Sequence, residues 1–284
     1  MLVFEQFPEL VRVSRHMFLL FTDETNFDPS TSDFFVYGGL IIPGERALAL
    51  SDEIDQIRTK YSYGPLDPLK FTAHGRPSHI TNETHVEVKR DILEAAARYE
   101  VKLLVSVILH SIATSPEDAR LKELNRVCFH FNCYLTRKKD CGIVLIDNFR
   151  GPKLLDFLRE KFGVGLTRMP YSRTLRLKKI VGFHLSHIGS SHFCSLTDIA
   201  LGALRYAINA REDLTKGATA AALLNQLSPL CLRDARGKVE ELSFFFSPKI
   251  VRVPTYLKIY KELHSFLTRF GLDCAQTPIN VRTY

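Results

Sequence analysis

The sequence predicts an α/β fold in which a mixed sheet is flanked by helices. Two apolar runs near the start, 17–22 (MFLLFT) and 34–42 (FFVYGGLII), are bounded by polar and turn residues, as in a β-hairpin or meander. From Gly142 onward, strand-like and helix-like segments alternate, which is typical of parallel strands joined by crossover helices. Antiparallel strands followed by parallel ones indicate a mixed sheet.

The elements of the first half follow from apolar spacing and turn residues. Leu50, Ile54 and Ile57 lie at helical spacing and predict a helix over 45–60. The next stretch, 61–85, is rich in Gly, Pro, His and Thr and indicates a long loop, and loops of that length are often functional. The remaining predicted elements of this half are a helix at 83–98, a buried strand at 101–109 and a helix at 116–138.

The second half is predicted from the same signals. Ser190 and Ser191 are suited to cap a helix that runs to about Arg211, and Gly271 is suited to end the last helix. The predicted elements are strands at 142–146 and 180–185, helices at 153–161, 218–227 and 255–270, and an apolar run at 242–246. We predict a core over residues 1–215 and a C-terminal α+β extension over residues 216–284, either a lid or a second subdomain packed on the core.

Composition limits the class of protein. The 284 residues suit one large domain or two small ones, and a net charge of +7 favours a polyanionic partner such as nucleic acid. No apolar run approaches the roughly 18 residues of a membrane span, and Glu5, Pro8 and Glu9 interrupt the apolar stretch that a signal peptide needs. We therefore expect a soluble cytoplasmic protein with no membrane partner, whose six cysteines are free thiols because none forms a CxxC pair.

Two predicted strands lead into an aspartate. Segment 17–22 leads into Asp23, and segment 143–146 leads into Asp147. Carboxylates at the carboxyl ends of strands face the crevice where open α/β sheets bind ligands. Neighbouring carboxylates repel each other, and a divalent cation removes that cost, with Mg²⁺ or Mn²⁺ preferred by hard oxygen ligands. These two aspartates are therefore candidate metal ligands.

A third acid, Asp198, lies inside an otherwise apolar helical segment, 193–208. The helix face that carries Asp198 has small and polar side chains, which indicates that this face contacts a particular partner and not the general apolar core. Glycine in a helix interior costs about 1 kcal/mol relative to alanine, so Gly202 predicts the close approach of a strand or a ligand. The residues that helical spacing puts on this stripe are Ser191, Ser195, Asp198, Gly202 and Arg205.

Each acid also has a purely structural explanation. An aspartate at a strand end is often a turn former or a helix cap, which covers the first two acids. Asp198 could form a salt bridge with Arg205 or Arg211. Strict alternation along the strand sends Glu24 to the face opposite Asp23, so Glu24 joins a site there only if the strand has already turned.

Five short motifs, by their order and spacing, resemble the domain of unknown function 3800 family, which belongs to the ribonuclease H-like fold group. They are FTDETN (21–26), FFVYGGLIIP (34–43), PLKFTAHG (68–75), VLIDNF (144–149) and SLTDIALGAL (195–204). The resemblance covers roughly residues 17–211. Thr25 and Asn26 stand where the family usually has Ser and Gly, and Asn also tolerates a left-handed backbone.

The resemblance implies a ribonuclease H-like sheet with acids on the first strand, a central strand and the last core helix, as expected of a two-metal nuclease. Asp23 would bridge two Mg²⁺ or Mn²⁺ ions, and Asp147 and Asp198 would flank them. Glu24 and Lys70 are retained as further candidate catalytic residues, with Lys70 acting as a point charge on the scissile phosphate. The alternative for Lys70 is an ordinary solvated lysine.

A basic segment, 168–179, carries five cations in twelve residues and no acid. Such a run can follow a phosphate backbone, with an aromatic ring available to stack on a base. The alternative is a solvated edge strand that is guarded by its charges. The candidate nucleic-acid contacts are Arg168, Tyr171, Arg173, Arg176, Lys178 and Lys179.

Histidines lie in two segments close in sequence to candidate residues: 184–194, near Asp198, and the long loop 61–85, which contains Lys70. The cluster of histidines and cysteine at 184–194 matches no structural zinc motif, so we expect His187 or His192 either to line the cleft or simply to pack. His74 and His79 lie in the long loop, where each is a candidate general acid or proton shuttle.

Three functions remain open at this point. The leading hypothesis is a metal-dependent nuclease or phosphodiester hydrolase of DNA or RNA, which fails if the three aspartates lie too far apart to share a metal pair. The second is a catalytically silent ribonuclease H-like module that binds nucleic acid or a protein partner. The third is a metal-dependent enzyme for a small phosphorylated substrate, whose binding would depend little on salt.

Overall fold

The computed structural model describes residues 16–148, 154–167 and 174–280, which form a mixed sheet of six strands flanked by seven helices. The strands are β1 (Met17–Thr25), β2 (Phe34–Pro43), β3 (Lys102–Leu109), β4 (Cys141–Asp147), β5 (Ile180–Ser186) and β6 (Phe244–Ser247). The helices are α1 (Gly44–Lys60), α2 (Asn82–Arg98), α3 (Pro116–Lys138), α4 (Leu154–Gly163), α5 (His192–Asn209), α6 (Gly217–Leu227) and α7 (Pro254–Arg269). The α/β class with a mixed sheet, predicted from the sequence, is confirmed.

The order of strands across the sheet is β5-β4-β1-β2-β3-β6. β1, β2 and β3 form an antiparallel meander, whereas β4 runs parallel to β1 and β5 runs parallel to β4. Both the predicted meander and the predicted parallel strands are therefore present. β1 pairs antiparallel with β2 and parallel with β4, so its carboxyl end lies beside that of β4.

β2 crosses the middle of the sheet, and all ten of its residues are buried. A strand covered on both faces requires such a continuous apolar run. Its two glycines let the neighbouring strands approach closely: a Cβ on Gly39 would lie 1.9 Å from the carbonyl oxygen of Phe21 on β1. Gly38 is the register partner of Asp23, so this close approach occurs beside the acid at the end of β1.

Helices cover both faces of the sheet. α1, α2, α5, α6 and α7 bury apolar side chains against one face, and α3 and α4 against the other. Fully burying one large aliphatic side chain contributes about 1.5–3 kcal/mol, so both layers stabilise the sheet. Among the residues described, no helix is both long and apolar enough to cross a membrane.

The segment after Lys216 contributes to the same sheet and the same core. β6 pairs in parallel with β3, at the edge of the sheet. The hydroxyl of Tyr260 on α7 accepts a hydrogen bond from the Leu109 amide at 2.9 Å and donates to the carbonyl of Ser247, so it joins the ends of β3 and β6. Leu224 of α6 belongs to the buried cluster that also contains α5.

The cysteines are free thiols, as predicted. Cys128, Cys231 and Cys274 are buried, and the other three are partly buried. Burial raises the pKa of the Cys128 thiol to about 12, so this thiol stays protonated and packs as an apolar side chain.

Candidate active site

The three candidate aspartates line one cavity of about 200 Å³. Asp23 lies near the end of β1, Asp147 is the last residue of β4, and Asp198 lies in the second turn of α5. Because β1 and β4 are parallel, with Thr22 opposite Ile146, the two strand acids reach the same edge of the sheet. The cavity lining also includes Lys70, Asn148, Ser186, His187, Cys194 and Thr197.

Local contacts fix Asp198 on α5. The helix begins after Ser191, whose side chain accepts from the Phe193 amide at 3.2 Å. Asp198 Oδ2 accepts a hydrogen bond from the backbone amide of Phe71 at 2.6 Å. One turn further on, a Cβ at Gly202 would lie 2.3 Å from the Phe71 side chain. The predicted close approach at Gly202 is therefore present, but the neighbour is an aromatic residue of the long loop and not a strand or a ligand.

The arginines proposed as alternative partners of Asp198 lie elsewhere. Arg211 forms an ion pair with Asp33, and the Arg205 guanidinium lies 5.9 Å from the centre of the Phe71 ring. The hydrogen bond that Asp198 accepts comes from the backbone of the long loop. Asp198 therefore helps to hold that loop against α5.

Lys89 of α2 is a residue that sequence reasoning missed. Its ammonium donates to the carbonyl oxygen of Phe71 at 2.8 Å and lies 4.5 Å from the centre of the same ring. Burial lowers the pKa of Lys89 to about 8, and the charge of Asp198 opposes that shift. Asp198 thus binds the backbone amide of Phe71, and Lys89 binds its backbone carbonyl. These two contacts fix the loop beside Lys70, which lines the cavity. No sequence signal relates this helix position to the loop.

The aspartates repel one another electrostatically. Burial, followed by the negative charges of Asp147 and Glu24, raises the pKa of Asp23 to about 8. The Glu24 amide, which donates to Asp23 Oδ1 at 2.7 Å, acts in the opposite direction. Burial also raises the pKa of Asp147, and the charges of Lys70 and His187 oppose this shift. Asp23 is therefore largely protonated at neutral pH unless a cation replaces its proton.

Glu24 points away from the cavity. Its Oε1 accepts from Nη1 of Arg120 on α3 at 2.9 Å, on the opposite face of the sheet from Asp23. Burial raises the pKa of Glu24, and the hydrogen bond and charge of Arg120 oppose that shift. Alternation along β1 explains this placement, because consecutive side chains of a strand point to opposite faces. We therefore leave Glu24 out of the site.

The turn after β1 keeps a left-handed residue. Asn26 has φ of 57°, at the position where the resembled family usually has glycine. Its amide nitrogen donates to Ser32 Oγ and to Asn209 Oδ1, each at 3.0 Å. Asn209 is the last residue of α5, so the turn that follows Asp23 is fastened to the helix that carries Asp198.

The part of the basic segment that the structure describes does not lie at the aspartates. Arg168, Tyr171 and Arg173 fall outside those residues. Arg176, Lys178 and Lys179 precede β5, whose other end at Ser186 pairs with Asp147. The length of β5 at about 3.3 Å per residue separates the two ends by roughly 20 Å. None of these three cations lines the cavity.

The histidine and cysteine cluster separates in the fold. His187 and Cys194 line the aspartate cavity, whereas Nε2 of His192 lies 3.0 Å from a carboxylate oxygen of Asp55 on α1. Burial raises the pKa of Cys194, so its thiol is not a ready nucleophile at neutral pH. His187 therefore fulfils the expectation that one histidine of this cluster lines the cleft.

A second cavity, of about 290 Å³, adjoins the first and shares Lys70 with it. His74 lines this second cavity, whereas His79 lies 3.5 Å from a carboxylate oxygen of Asp67. No acidic residue is among the described residues that line the second cavity, which are Pro68, Lys70, Thr72, His74, Gly75, Arg76 and His85. We call it the basic cavity.

The donor set of the first cavity fits a hard divalent cation, because carboxylate oxygens are the ligands that Mg²⁺ and Mn²⁺ prefer. Over residues 16–148, 154–167 and 174–280, however, no three acidic, histidine or cysteine side chains are already arranged as a metal-binding group. The aspartates therefore share a cavity without forming a ready-made ligand set. Comparison of the chain with protein families, with curated proteins and with solved structures finds no match in any of the three.

Proposed function

We propose that this protein is a metal-dependent nuclease or phosphodiester hydrolase of ribonuclease H-like type, related to the domain of unknown function 3800 family that its motifs resemble. The observation that carries the proposal is the cavity that Asp23, Asp147 and Asp198 line from three separate elements. Those elements are β1, β4 and α5, in agreement with the placement that the resemblance implies. Lys70 is the one lysine or arginine among the described residues that line this cavity.

The electrostatics of the cavity favour a cation. Asp23 is raised in pKa by burial and by its acidic neighbours, so cation binding would relieve repulsion that is otherwise relieved only by a proton. A bound Mg²⁺ or Mn²⁺ pair supplies a water of lowered pKa and stabilises the charge of the leaving oxygen.

The residues around the aspartates have distinct roles in this proposal. Lys70 presents an ammonium to a substrate phosphate as a point charge. Asp198 holds the loop that carries Lys70, through its bond to the Phe71 amide, and so couples the carboxylates to the phosphate-binding side chain. His187 lines the same cavity, close enough to Asp147 to affect the pKa of that carboxyl, and an imidazole there is suited to act as a general acid or base.

Nucleic acid is the proposed substrate because the chain as a whole and the surroundings of the site are both suited to a polyanion. The net charge is +7. The basic cavity beside the aspartates extends the positive lining beyond Lys70. A strand could therefore place one phosphate at the aspartates while it contacts cations on one side.

The proposal is tested by Mg²⁺- and Mn²⁺-dependent cleavage of single- and double-stranded DNA and RNA. A small diester, bis(4-nitrophenyl) phosphate, is included as a further substrate. Wild type is compared with Asp23→Asn, Asp198→Asn and the control Asp156→Asn, which changes an exposed carboxylate on α4. We expect metal-dependent cleavage that falls at least about 100-fold in the two site variants and is unchanged in the control.

The other outcomes separate the competing functions. Cleavage that survives both site substitutions contradicts the proposal. Activity that is confined to the small diester indicates an enzyme for a small phosphorylated substrate. The absence of both cleavage and Mn²⁺ binding, with retained binding of polynucleotide, indicates a silent nucleic-acid-binding module.

A further inference from the structure

The basic cavity collects hydrogen-bond donors without a carboxylate among its described side chains. Lys70 and Arg76 are cationic, and Thr72 adds a hydroxyl. Arg76 Nε is buried and has no hydrogen-bond partner. Among the described residues, Arg76 also makes no ion pair. A guanidinium and an ammonium that face a concave surface with no carboxylate are suited to bind an anion.

His85 supplies a second, independent observation. It is 2% exposed, and its Nδ1 lies 2.7 Å from the hydroxyl of Tyr63. Its Nε2 is buried and makes no hydrogen bond of good geometry, although the backbone of Phe71 and Thr72 lies close enough to affect the pKa of the ring. Burial lowers the pKa of His85 to about 4, and the charges of Lys89 and Arg76 act in the same direction, whereas the backbone of Phe71 and Thr72 opposes the shift. The ring is therefore neutral at pH 7. We assign the Tyr63 hydroxyl as donor to Nδ1, which leaves Nε2–H as a donor at the cavity.

A neutral N–H donor next to two fixed cations matches a phosphate group, which offers several acceptor oxygens in one compact anion. A carboxylate offers two oxygens in a plane and would leave more of these donors without a partner. The cavity of about 290 Å³ is also large enough for a phosphate with part of its sugar.

We propose that the basic cavity binds a phosphate group of the substrate strand, next to the phosphodiester that lies at the aspartates. This inference rests on the proposed function for the identity of the strand. Lys70 lines both cavities, so this side chain would lie between two consecutive phosphates of a bound strand. Arg76 and His85 would then set the register of the strand relative to the aspartates, and act as binding residues that do not touch the reacting atoms.

The first test is made without metal, so that it does not depend on catalysis. Inorganic phosphate is titrated into the full chain in the presence of EDTA, and the ring signals of His85 are followed by NMR. We expect a saturable shift of the His85 Nε2–H signal. The apparent Kd should rise at least about fivefold in Arg76→Gln and be partly restored in Arg76→Lys, because lysine keeps the charge but not the fork of donors.

The matched control is Lys258→Gln, which removes one charge from the exposed side of α7. It should leave the phosphate titration unchanged. If the His85 signals do not respond to phosphate, or if Arg76→Gln and Lys258→Gln weaken the response equally, the inference is overturned. In that case any binding reflects net charge and not a built site.

The second test uses cleavage of an oligonucleotide. Arg76→Gln should raise KM at least about fivefold with kcat within twofold of wild type, because the residue holds the strand and not the reacting atoms. A loss of kcat without a change in KM contradicts the inference. If cleavage is absent in every variant while His85 still titrates with phosphate, the proposed function fails and the anion site stands. If cleavage needs the aspartates but His85 does not respond, only the anion site fails.

Discussion

Two carboxylates, the partly buried Asp23 at the end of β1 and the fully buried Glu123 on α3, lie in contrasting surroundings on opposite faces of the sheet. Both Glu123 oxygens accept hydrogen bonds: Oε2 from the hydroxyl of Ser106, and Oε1 from the hydroxyl of Ser247 at 2.7 Å. The Arg126 guanidinium lies 3.2 Å from Oε1. Burial raises the pKa of Glu123, and every one of these neighbours lowers it.

Around Asp23 the neighbours act in the opposite sense. Burial again raises the pKa, but Asp147, Glu24 and Asp198 raise it too. Within the described part of the chain, the one hydrogen bond that opposes them comes from the adjacent backbone amide. Buried carboxylates that serve structure are satisfied by their surroundings. The negative charges around Asp23 are not balanced in this way, and unbalanced carboxylates in one cavity are the arrangement expected of a cation site.

The largest effect that sharpens this comparison is the removal of Glu123. Glu123→Ala leaves the hydroxyls of Ser106 and Ser247 without their acceptor and creates a cavity in the core. We expect a loss of about 3 kcal/mol in the free energy of unfolding, measured by urea denaturation. Glu123→Gln, which keeps an acceptor, should lose less than half as much, and Asp156→Ala on the surface should lose almost nothing. Equal stability of all three variants would contradict the structural role.

Packing around Asp198 is tested by Gly202→Ala. The new methyl would overlap the Phe71 side chain, because a Cβ at position 202 would lie only 2.3 Å from it. We expect a loss of about 2 kcal/mol in unfolding free energy and a fall in cleavage, because Phe71 carries the amide bound to Asp198. Gly217→Ala on α6 is the matched control, since a Cβ there meets nothing within 4 Å. A Gly202→Ala variant as stable as Gly217→Ala would show that Phe71 is not packed there.

Removal of the charge of Asp23 should stabilise the chain when no metal is present. The pKa of Asp23 is about 8 in the folded state against an ordinary value of 3.8, so the stability contributed by its proton is lost as pH rises from about 4 through 8. Asp23→Asn does not undergo this loss. Because the cavity is open to solvent, we expect a gain of only about 1–2 kcal/mol at pH 8.

The gain from Asp23→Asn should shrink toward zero as the pH falls to about 3, below the ordinary pKa of 3.8, where the wild-type carboxyl is largely protonated in both the folded and the unfolded state. Urea denaturation at several pH values in EDTA measures this difference. A variant that is less stable than wild type at pH 8 would show that Asp23 is satisfied by neighbours, as Glu123 is.

The smallest expected effect concerns Glu24, the neighbour of Asp23 in sequence. Glu24→Gln keeps an oxygen for Arg120 and removes a charge from the far face of β1. We expect oligonucleotide cleavage within about threefold of wild type, since only a distant repulsion is removed. A loss as large as that of Asp23→Asn would return Glu24 to the site and would contradict its placement by strand alternation.

Local signals in the sequence account for the parts of the site that depend on one element. Apolar runs predict β1 and β4 with their terminal acids, and Ser191 with the apolar face predicts α5 around Asp198. Alternation predicts the placement of Glu24. These features depend on neighbours within a few residues, for which spacing is informative.

The remaining features depend on contacts between distant parts of the chain. The bond between Asp198 and Phe71 joins residues 127 positions apart, and the loop conformation that brings Lys70 to two cavities has no periodic signal. The basic segment differs, because its distance from the acids is derivable from the predicted parallel strands. Lys178 precedes β5, whereas Asp147 is the last residue of the neighbouring parallel strand β4. The two residues therefore lie at opposite ends of these strands.

The most direct test of the central claim is Mn²⁺ binding by isothermal titration calorimetry at pH 7.5, with wild type, Asp23→Asn, Asp198→Asn and Glu24→Gln. The account predicts saturable Mn²⁺ binding to wild type and to Glu24→Gln. It also predicts affinity at least about tenfold weaker in the two aspartate variants, because each loses a negatively charged oxygen ligand. Equal Mn²⁺ affinity in all four proteins, or no binding to wild type, would contradict the claim that this cavity is a cation site.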